Sequence, residues 1–374
     1  MKYKLYTLGD LVKIKYGKNQ KKVQSDDGAI PIYGTGGLMG FANVALYDKP
    51  SVLIGRKGTI NKVRYVDHPF WTVDTLFYTE VNDDIVVPKY LYYIMSLLDL
   101  DAYNEGTTIP SLRTETLNRL EFRVPDIQYQ KKVLSMLSPI DHKIAINNKI
   151  NENLTEQARS IFQSWFIDYE PFGGSMPSDW QPSTLGQIAN MKTDSWSPAK
   201  NPDVVVEHYS IPSYDEQRYP VFEIASGIKS NKYLLTSDSV MISKLNPDTK
   251  RIWRPMCLSG HPVCSTEFIV YEAKKKGQRD YIYSLIDSVP FFNHLCSHTT
   301  GSTNSRQRAT PKSTLDFALC LPSDSVIEDF CQIVTPMYDL IASNVVENQS
   351  LAKTRDSLLP RLMSGELDVS ELDL

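Results

Sequence analysis

Two long stretches of the chain place apolar residues in alternating steps of four and three. The first runs Val133, Leu137, Ile140, Ile144, Asn147, Asn151, Leu154, Ala158, Ile161 and Trp165. The second runs Phe330, Val334, Met337, Ile341, Asn344, Asn348, Leu351, Arg355, Leu358 and Leu362. This spacing is a heptad seam, the pattern that pairs helices as a coiled coil. Asparagine interrupts both seams at the same two steps, as Asn147 and Asn151 and as Asn344 and Asn348. A seam asparagine costs stability and fixes register, so these four are the expected register-setting residues. Two ordinary amphipathic helices on separate domains would explain the period but not the matched asparagines. Pro139 and Pro336 fall at equivalent places, where each should kink its helix or mark its true start. Counted from Ile127, the first helix would be roughly 60 Å long.

Between the long stretches the period drops to short β-like runs. They are Ile30–Tyr33, Ser51–Ile54, Lys62–Val66, Thr75–Val81 and Leu120–Val124 in the first half. In the second half they are Val221–Ile224, Ser239–Ser243, Arg251–Cys257 and Glu267–Glu272. The halves echo each other. Thr7-Leu8-Gly9 returns as Thr184-Leu185-Gly186, and Tyr90–Ile94 returns as Tyr281–Leu285, a short amphipathic helix. Gly106-Thr107-Thr108 returns as Gly301-Ser302-Thr303, and the exits at Pro125 and Pro322 also match. The offset grows from 177 to 197 residues, which reads as a loop-scale insertion of about 20 residues in the second half. The expected class is α+β with an internal pseudo-twofold repeat: two similar globular domains separated by two long helices. The boundaries predicted are a globular domain over 1–126, a helix over 127–170 and a linker over 171–182. A second globular domain over 183–323, a helix over 324–366 and an acidic tail over 367–374 follow.

Charge changes the picture through its distribution. The net charge is -4, which argues at first sight against nucleic acid. Yet residues 324–374 hold 3 basic and 10 acidic side chains, whereas residues 10–65 hold 10 basic and 4 acidic ones. A field follows where charges lie, not their sum. The five cysteines all lie in the second half, without C-x-x-C spacing, and read as small buried residues in a reducing cytosol. No stretch is apolar enough to span a membrane, and Met1–Lys4 leads into no secretory h-region.

Three segments could carry binding. Gly55-Arg56-Lys57-Gly58-Thr59-Ile60-Asn61 sets a basic pair between glycines after a strand, which suits a phosphate; a solvated hairpin is the other reading. Gly106–Arg113, with its counterpart Gly301–Arg308, offers hydroxyls, Arg and Gln for phosphates and base edges, or is an ordinary polar loop. Trp71-Thr72-Val73-Asp74-Thr75 is matched by Val263–Glu267. Its acid either orients a neighbouring Arg or accepts from a cytosine amino group, and orientation is favoured. The candidate DNA contacts in the first domain are Lys15, Lys18, Arg56, Lys57, Thr59, Asn61, Thr107, Thr108, Ser111 and Arg113. Those in the second are Lys192, Lys244, Arg251, Arg254, Ser302, Arg306 and Arg308. Enzyme motifs are wanting. Gly34-Thr35-Gly36-Gly37 lacks the Lys of a phosphate loop, His294 and His298 have no third ligand in range, and Glu272-Ala273-Lys274 lacks its nuclease partner. No catalytic, cofactor or metal residue is assigned. A freestanding nuclease or methyltransferase, or a coiled-coil protein scaffold, are the competing readings.

The repeated T-L-G opening, Leu53–Ile60, Gly106–Leu112, the Val-Pro-Asp strand exit and the closing Ser357–Leu367 resemble the specificity subunits of type I restriction-modification systems. The likeness spans essentially the whole chain. It implies two target-recognition domains reading a split double-stranded DNA site, held apart by two antiparallel helices in a coiled coil. It further implies two modification subunits bringing S-adenosylmethionine, and restriction subunits bringing ATP and magnesium. The chain itself would be non-catalytic and would act in a bacterial or archaeal cytoplasm, in phage defence. One departure stands out. The Glu-Gln pair that often opens each helix in that family is here Tyr129-Gln130 and Ile327-Glu328.

Overall fold

The computed structural model describes residues 3–300 and 307–372. The chain divides into two compact units, one of residues 1–143 and 351–374, the other of residues 144–350. Its class is α+β, as the pattern predicts.

The first unit opens with strand β1 (Lys4–Thr7), the single turn α1 (Leu8–Leu11) and β2 (Val12–Tyr16). There follow β3 (Ile30–Gly34), β4 (Gly37–Ala42), β5 (Ser51–Gly55), β6 (Val63–Val66), β7 (Trp71–Thr72) and β8 (Leu76–Val81). Helices α2 (Pro88–Ser96) and α3 (Thr114–Asn118) precede β9 (Glu121–Val124) and the long helix α4 (Ile127–Phe166). The opening motif explains itself locally. Thr7 and Asp10 form a reciprocal cap, with the Thr7 amide donating to Asp10 Oδ2 at 2.8 Å, while Leu8 and Leu11 are fully buried. β1 pairs antiparallel with β9, so the first and last strands clasp each other before α4 departs. One sheet has the order β2-β8-β5-β6 and another β4-β3-β7. α2 lays Tyr90, Leu91 and Ile94 on Val52, Ile54 and Phe77 of the first sheet. Burying such side chains contributes roughly 1.5–3 kcal/mol each.

The second unit repeats this plan. β10 (Gln181–Thr184), α5 (Leu185–Ile188) and β11 (Ala189–Lys192) form its opening, and the Thr184 amide donates to Gln187 Oε1 at 2.9 Å. β12 (Ser195–Trp196), β13 (Val205–Tyr209), α6 (Ile211–Gln217), β14 (Val221–Ile224), β15 (Lys232–Leu234) and β16 (Ser239–Ser243) follow. Next come β17 (Ile252–Trp253), β18 (Pro262–Ser265), β19 (Phe268–Ala273), α7 (Arg279–Asp287) and α8 (Val289–Ser297). β20 (Thr299–Thr300), β21 (Arg308–Ala309), β22 (Ala318–Leu321) and the long helix α9 (Asp324–Ser364) complete it. β10 pairs with β22, the sheet β11-β19-β16-β17 reproduces β2-β8-β5-β6, and β14-β13-β18 reproduces β4-β3-β7.

Each unit contains parts of both long helices. In the first, Val133 and Leu137 of α4 share a core with Leu359, Leu362 and Met363 of α9, and Arg355 meets Asp141 at 3.0 Å. In the second, Phe162 and Phe166 pack on Phe330, with the Phe166 and Phe330 rings 5.0 Å apart. Here the seam asparagines meet. Asn147 Nδ2 donates to Asn348 Oδ1 at 2.9 Å and to Glu347 Oε2 at 2.7 Å, and Asn344 Nδ2 donates to Asn151 Oδ1 at 2.8 Å. The partners rise along one helix as they fall along the other, so this pairing is antiparallel.

Several expectations need correction. Pro139 and Pro336 lie inside continuous helices and start neither; each forgoes one backbone bond without ending its helix. The run Arg251–Cys257 is a strand only over Ile252–Trp253, because Pro255 lacks an amide donor and Cys257 turns to φ 51°. The extra length of the second half is not one insertion. Structurally matched pairs are offset by 177 at Lys15 and Lys192, by 176 at Ile32 and His208, by 181 at Gly40 and Val221, by 188 at Arg56 and Lys244, by 189 at Val63 and Ile252, by 192 at Thr75 and Glu267, and by 197 at Leu112 and Ala309. The additions are spread over five connections, and one residue is lost between β2 and β3.

Candidate nucleic-acid interface

In the first unit the three singled-out segments form one assembly. The Arg56 amide donates to Thr75 O at 2.8 Å, the Leu112 amide to Arg56 O at 3.0 Å and the Gly58 amide to Pro110 O at 2.9 Å. Lys57 and Ser111 bridge as a short ladder. Arg56 Nη1 donates to the Asp74 carbonyl at 2.8 Å, and its guanidinium lies over the Tyr16 ring at 5.2 Å. The acid-bearing turn thus orients an arginine, through backbone rather than carboxylate. Asn104 Oδ1 accepts from the amides of Gly106 and Ser111 at 2.8 and 2.9 Å, pinning the loop whose tip exposes Thr107 and Thr108. Arg56, Lys57, Thr107, Thr108 and Ser111 are therefore brought together on a rigid base.

The second unit builds the same knot from different side chains. The Lys244 amide donates to Glu267 O, the Ala309 amide to Lys244 O and the Asn246 amide to Gln307 O, each at 2.9 Å, and Leu245 bridges Arg308. Gly58 and Asn246 occupy the same place, and both have left-handed backbone, φ 91° and 47°. That conformation favours Gly first and Asn next. Glu267 grips Arg308 at 3.0 and 3.2 Å. Donating to the Glu267 carboxylate raises the Arg308 pKa further above its ordinary range. The matching by bridges sets Arg308 opposite Ser111, two residues away from Arg113, its counterpart by sequence.

Other candidates stand apart from the knot. Lys15 and Lys192 are equivalent and face equivalent carboxylates, Glu80 at 3.6 Å and Glu272 at 3.9 Å. Lys18 contributes backbone, its carbonyl accepting from Trp71 Nε1 at 2.8 Å, while its side chain is exposed. Thr59 is exposed, Asn61 donates to Asp101 at 3.1 Å, and Arg113, 70% exposed, pairs with Glu105 at 3.1 Å. Arg251 is held by Asp215 at 2.7 and 2.9 Å. Arg254 is 9% exposed and is gripped by Asp280 at 2.7 Å and Asp339 at 2.6 Å. Burial pushes the Asp280 carboxyl up, but Arg254 and Arg279 outweigh it and hold it below the usual carboxylate range. Arg251 and Arg254 thus brace the domain, both largely buried and held by its own carboxylates. Ser302 and Arg306 lie outside the described residues. His294 and His298 stack at 4.4 Å, with His294 Nε2 bonded to the Ser313 carbonyl at 2.9 Å. Among the described residues no three His, Cys, Asp or Glu side chains gather as a metal site.

Two contributors escaped the sequence pattern. Tyr16 ends β2 as an exposed aromatic, and only the fold sets Arg56 on it. Gln130, fully buried, accepts from the Val87 amide at 2.8 Å and donates to the Ile85 and Pro125 carbonyls at 2.9 Å, fastening the start of α4 to the first domain. Its place beside the departing Tyr129 was the available signal.

Residues 1–156 match the family model described as the type I restriction modification DNA specificity domain. The chain is 25% identical over 354 residues to the MjaIX specificity subunit of Methanocaldococcus jannaschii, covering 88% of this chain and 80% of that one. It is 22% identical over 380 residues to the HindI specificity subunit of Haemophilus influenzae, covering 79% and 81%. The fold is similar to that of the type I restriction-modification S subunit from M. genitalium, with a TM-score of 0.56 at 18% identity over 97% of this chain and 96% of the other. Over most of its length the chain is thus similar to DNA specificity subunits of type I restriction-modification systems.

Proposed function

We propose that each unit reads one half of a split DNA target through its own loop knot, and that α4 and α9 set the spacing of the halves. The observation that carries this is the knot itself, one backbone pattern built twice from non-identical side chains. Arg56, Lys57, Thr107, Thr108 and Ser111 are the contacts proposed for one half-site, and Lys244 and Arg308 for the other. Phosphate contacts supply affinity and base-edge contacts supply sequence. A good base contact discriminates by only ~1–3 kcal/mol, so two linked readers multiply what one achieves.

The chain acts as a non-catalytic subunit in this proposal. Two modification subunits join it, one per repeat, carrying S-adenosylmethionine, and restriction subunits carry ATP and magnesium. The complex works in the bacterial or archaeal cytoplasm, where the genome is; among the described residues no helix is long and apolar enough to cross a membrane. Single-molecule sequencing of methylated adenines in host DNA tests the reading. Two unlike half-motifs at constant separation are expected. One continuous motif, or methylation or cleavage by the lone chain, would overturn it.

A further inference from the structure

The β3–β4 hairpin of the first unit adjoins the knot. Its two-residue turn, Thr35-Gly36, joins Gly34 to Gly37. Thr35 Oγ1 lies only 3.7 Å from where a β-carbon on Gly58 would stand, so the hairpin tip touches the Arg56–Lys57 loop. A β-carbon on Gly36 would meet nothing within 4 Å, and Gly37 has φ 121°. The tip is therefore narrow and open. Beside it Leu38 and Met39 are 56% and 55% exposed. Met39 folds back across the turn, its sulfur 2.3 Å from the place a β-carbon on Gly34 would take. Arg64 reaches over the same turn, 5.8 Å from the Tyr33 ring and 3.3 Å from the β-carbon position of Gly37. Among the described residues neither Arg64 nor Lys57 has a carboxylate partner.

We propose that this hairpin enters the major groove of the half-site read by the first unit, with Leu38 and Met39 against thymine methyl groups and Arg64 on a flanking phosphate. This rests on the reading that the first unit contacts duplex DNA. The major groove admits a two-stranded ribbon, and apolar side chains there recognise the thymine methyl. Continuity with the basic knot selects DNA as the occupant of this apolar edge, because a ribbon seated there brings Arg56, Lys57 and Arg64 to one duplex. Among the described residues the second unit has no equivalent open turn. Its matching connection folds into α6, where Asp215 holds Arg251 and Ile211 and Tyr214 pack on the core of Tyr209 and Trp253. Only one half-site should therefore depend on the device.

The test uses the complex assembled with its modification subunits and a pool of randomised duplexes. L38S/M39S is expected to lower discrimination roughly 5- to 100-fold at one or two A·T positions of one half-site, leaving the other half-site unchanged. R64Q is expected to weaken all sequences alike and to reduce the slope of log K against log salt by about 1. An unchanged motif in L38S/M39S, or equal loss on specific and random DNA, overturns the proposal while a split motif upholds the underlying reading. Loss of subunit assembly in L38S/M39S, with the chain itself still folded by circular dichroism, would make the edge a protein interface and overturn it too. No sequence preference in the unmodified complex would take both down.

Discussion

Asn147 offers the sharpest test of why the seams carry asparagine. Its side chain is fully buried, and its Nδ2 makes two bonds across to α9. Its Oδ1 is buried with no partner. An unsatisfied buried carbonyl costs roughly 1–3 kcal/mol, whereas each bond made returns only about 0.5–1.5 kcal/mol. Asn147→Leu removes the orphan and adds buried apolar surface worth up to about 1.5 kcal/mol. Against this stand two lost bonds. One is to Glu347, which is exposed and can turn to water, and the other leaves Asn348 Oδ1 half-buried. The balance predicts stabilisation by about 1 kcal/mol, a rise in Tm of roughly 2–4 °C for a unit of this size. The same change should loosen register. A cysteine pair at positions 148 and 348, whose asparagines now bond at 2.9 Å, reads that out. Thermal unfolding by circular dichroism and the yield of the cross-link measure both effects. A fall in Tm in N147L, or an unchanged cross-link yield beside a higher Tm, would refute the reasoning that this asparagine exchanges stability for register.

Gly58→Asn should retain DNA affinity, because Asn246 already adopts the same left-handed backbone in the second unit, whereas Gly58→Val should cost roughly 1–2 kcal/mol and weaken binding; filter binding of the two complexes compares them. Glu267→Gln should leave overall affinity at least intact but relax the motif of the second unit's half-site, since Arg308 loses the carboxylate that aims it; selection from random duplexes shows which positions blur. His208 predicts a pH effect. Burial pushes its pKa below 6.5, with Lys232 adding to this and Glu223, 2.7 Å from Nδ1, opposing it, and Nε2 is buried without a partner. The unfolded chain binds the proton more readily, so this contribution to stability is present above pH 6.5 and is lost as pH falls through the depressed folded value. Denaturant midpoints between pH 7.5 and 5 should fall, and less steeply in His208→Gln.

The long helices were legible because a heptad period persists over many turns and local noise averages out. The strands Ser51–Gly55 and Phe268–Ala273 were legible because a buried strand is a continuous apolar run. The strands β1 and β10 were not, since Lys4–Thr7 and Gln181–Thr184 carry little apolar signal and owe their pairing to β9 and β22. Candidate basic residues were visible as types but not as free or committed charges. Lys244 and Arg254 look alike in sequence; the second is walled in because Asp280 and Asp339, 26 and 85 residues away, converge on it. The hairpin glycines were weighed only as a phosphate loop, because nothing local reveals that Thr35 lies beside Gly58.

The spread of the added residues has a physical cause that bears on function. Offsets are constant through every matched ladder and change only between ladders. A one-residue insertion within a strand would turn each later side chain to the wrong face, whereas a connection absorbs several residues at a cost that grows only logarithmically. The clasping pairs β1–β9 and β10–β22 and the knot bonds lie on the protected side of that line. The β3–β4 turn and its counterpart with α6 lie on the other, and the β3–β4 turn opens beside the first unit's knot. A five-residue addition there converts an open hairpin into a helix packed on its own core. Divergence therefore falls in the connections, one of them beside the first unit's knot, while the framework that holds the knot stays the same in both units.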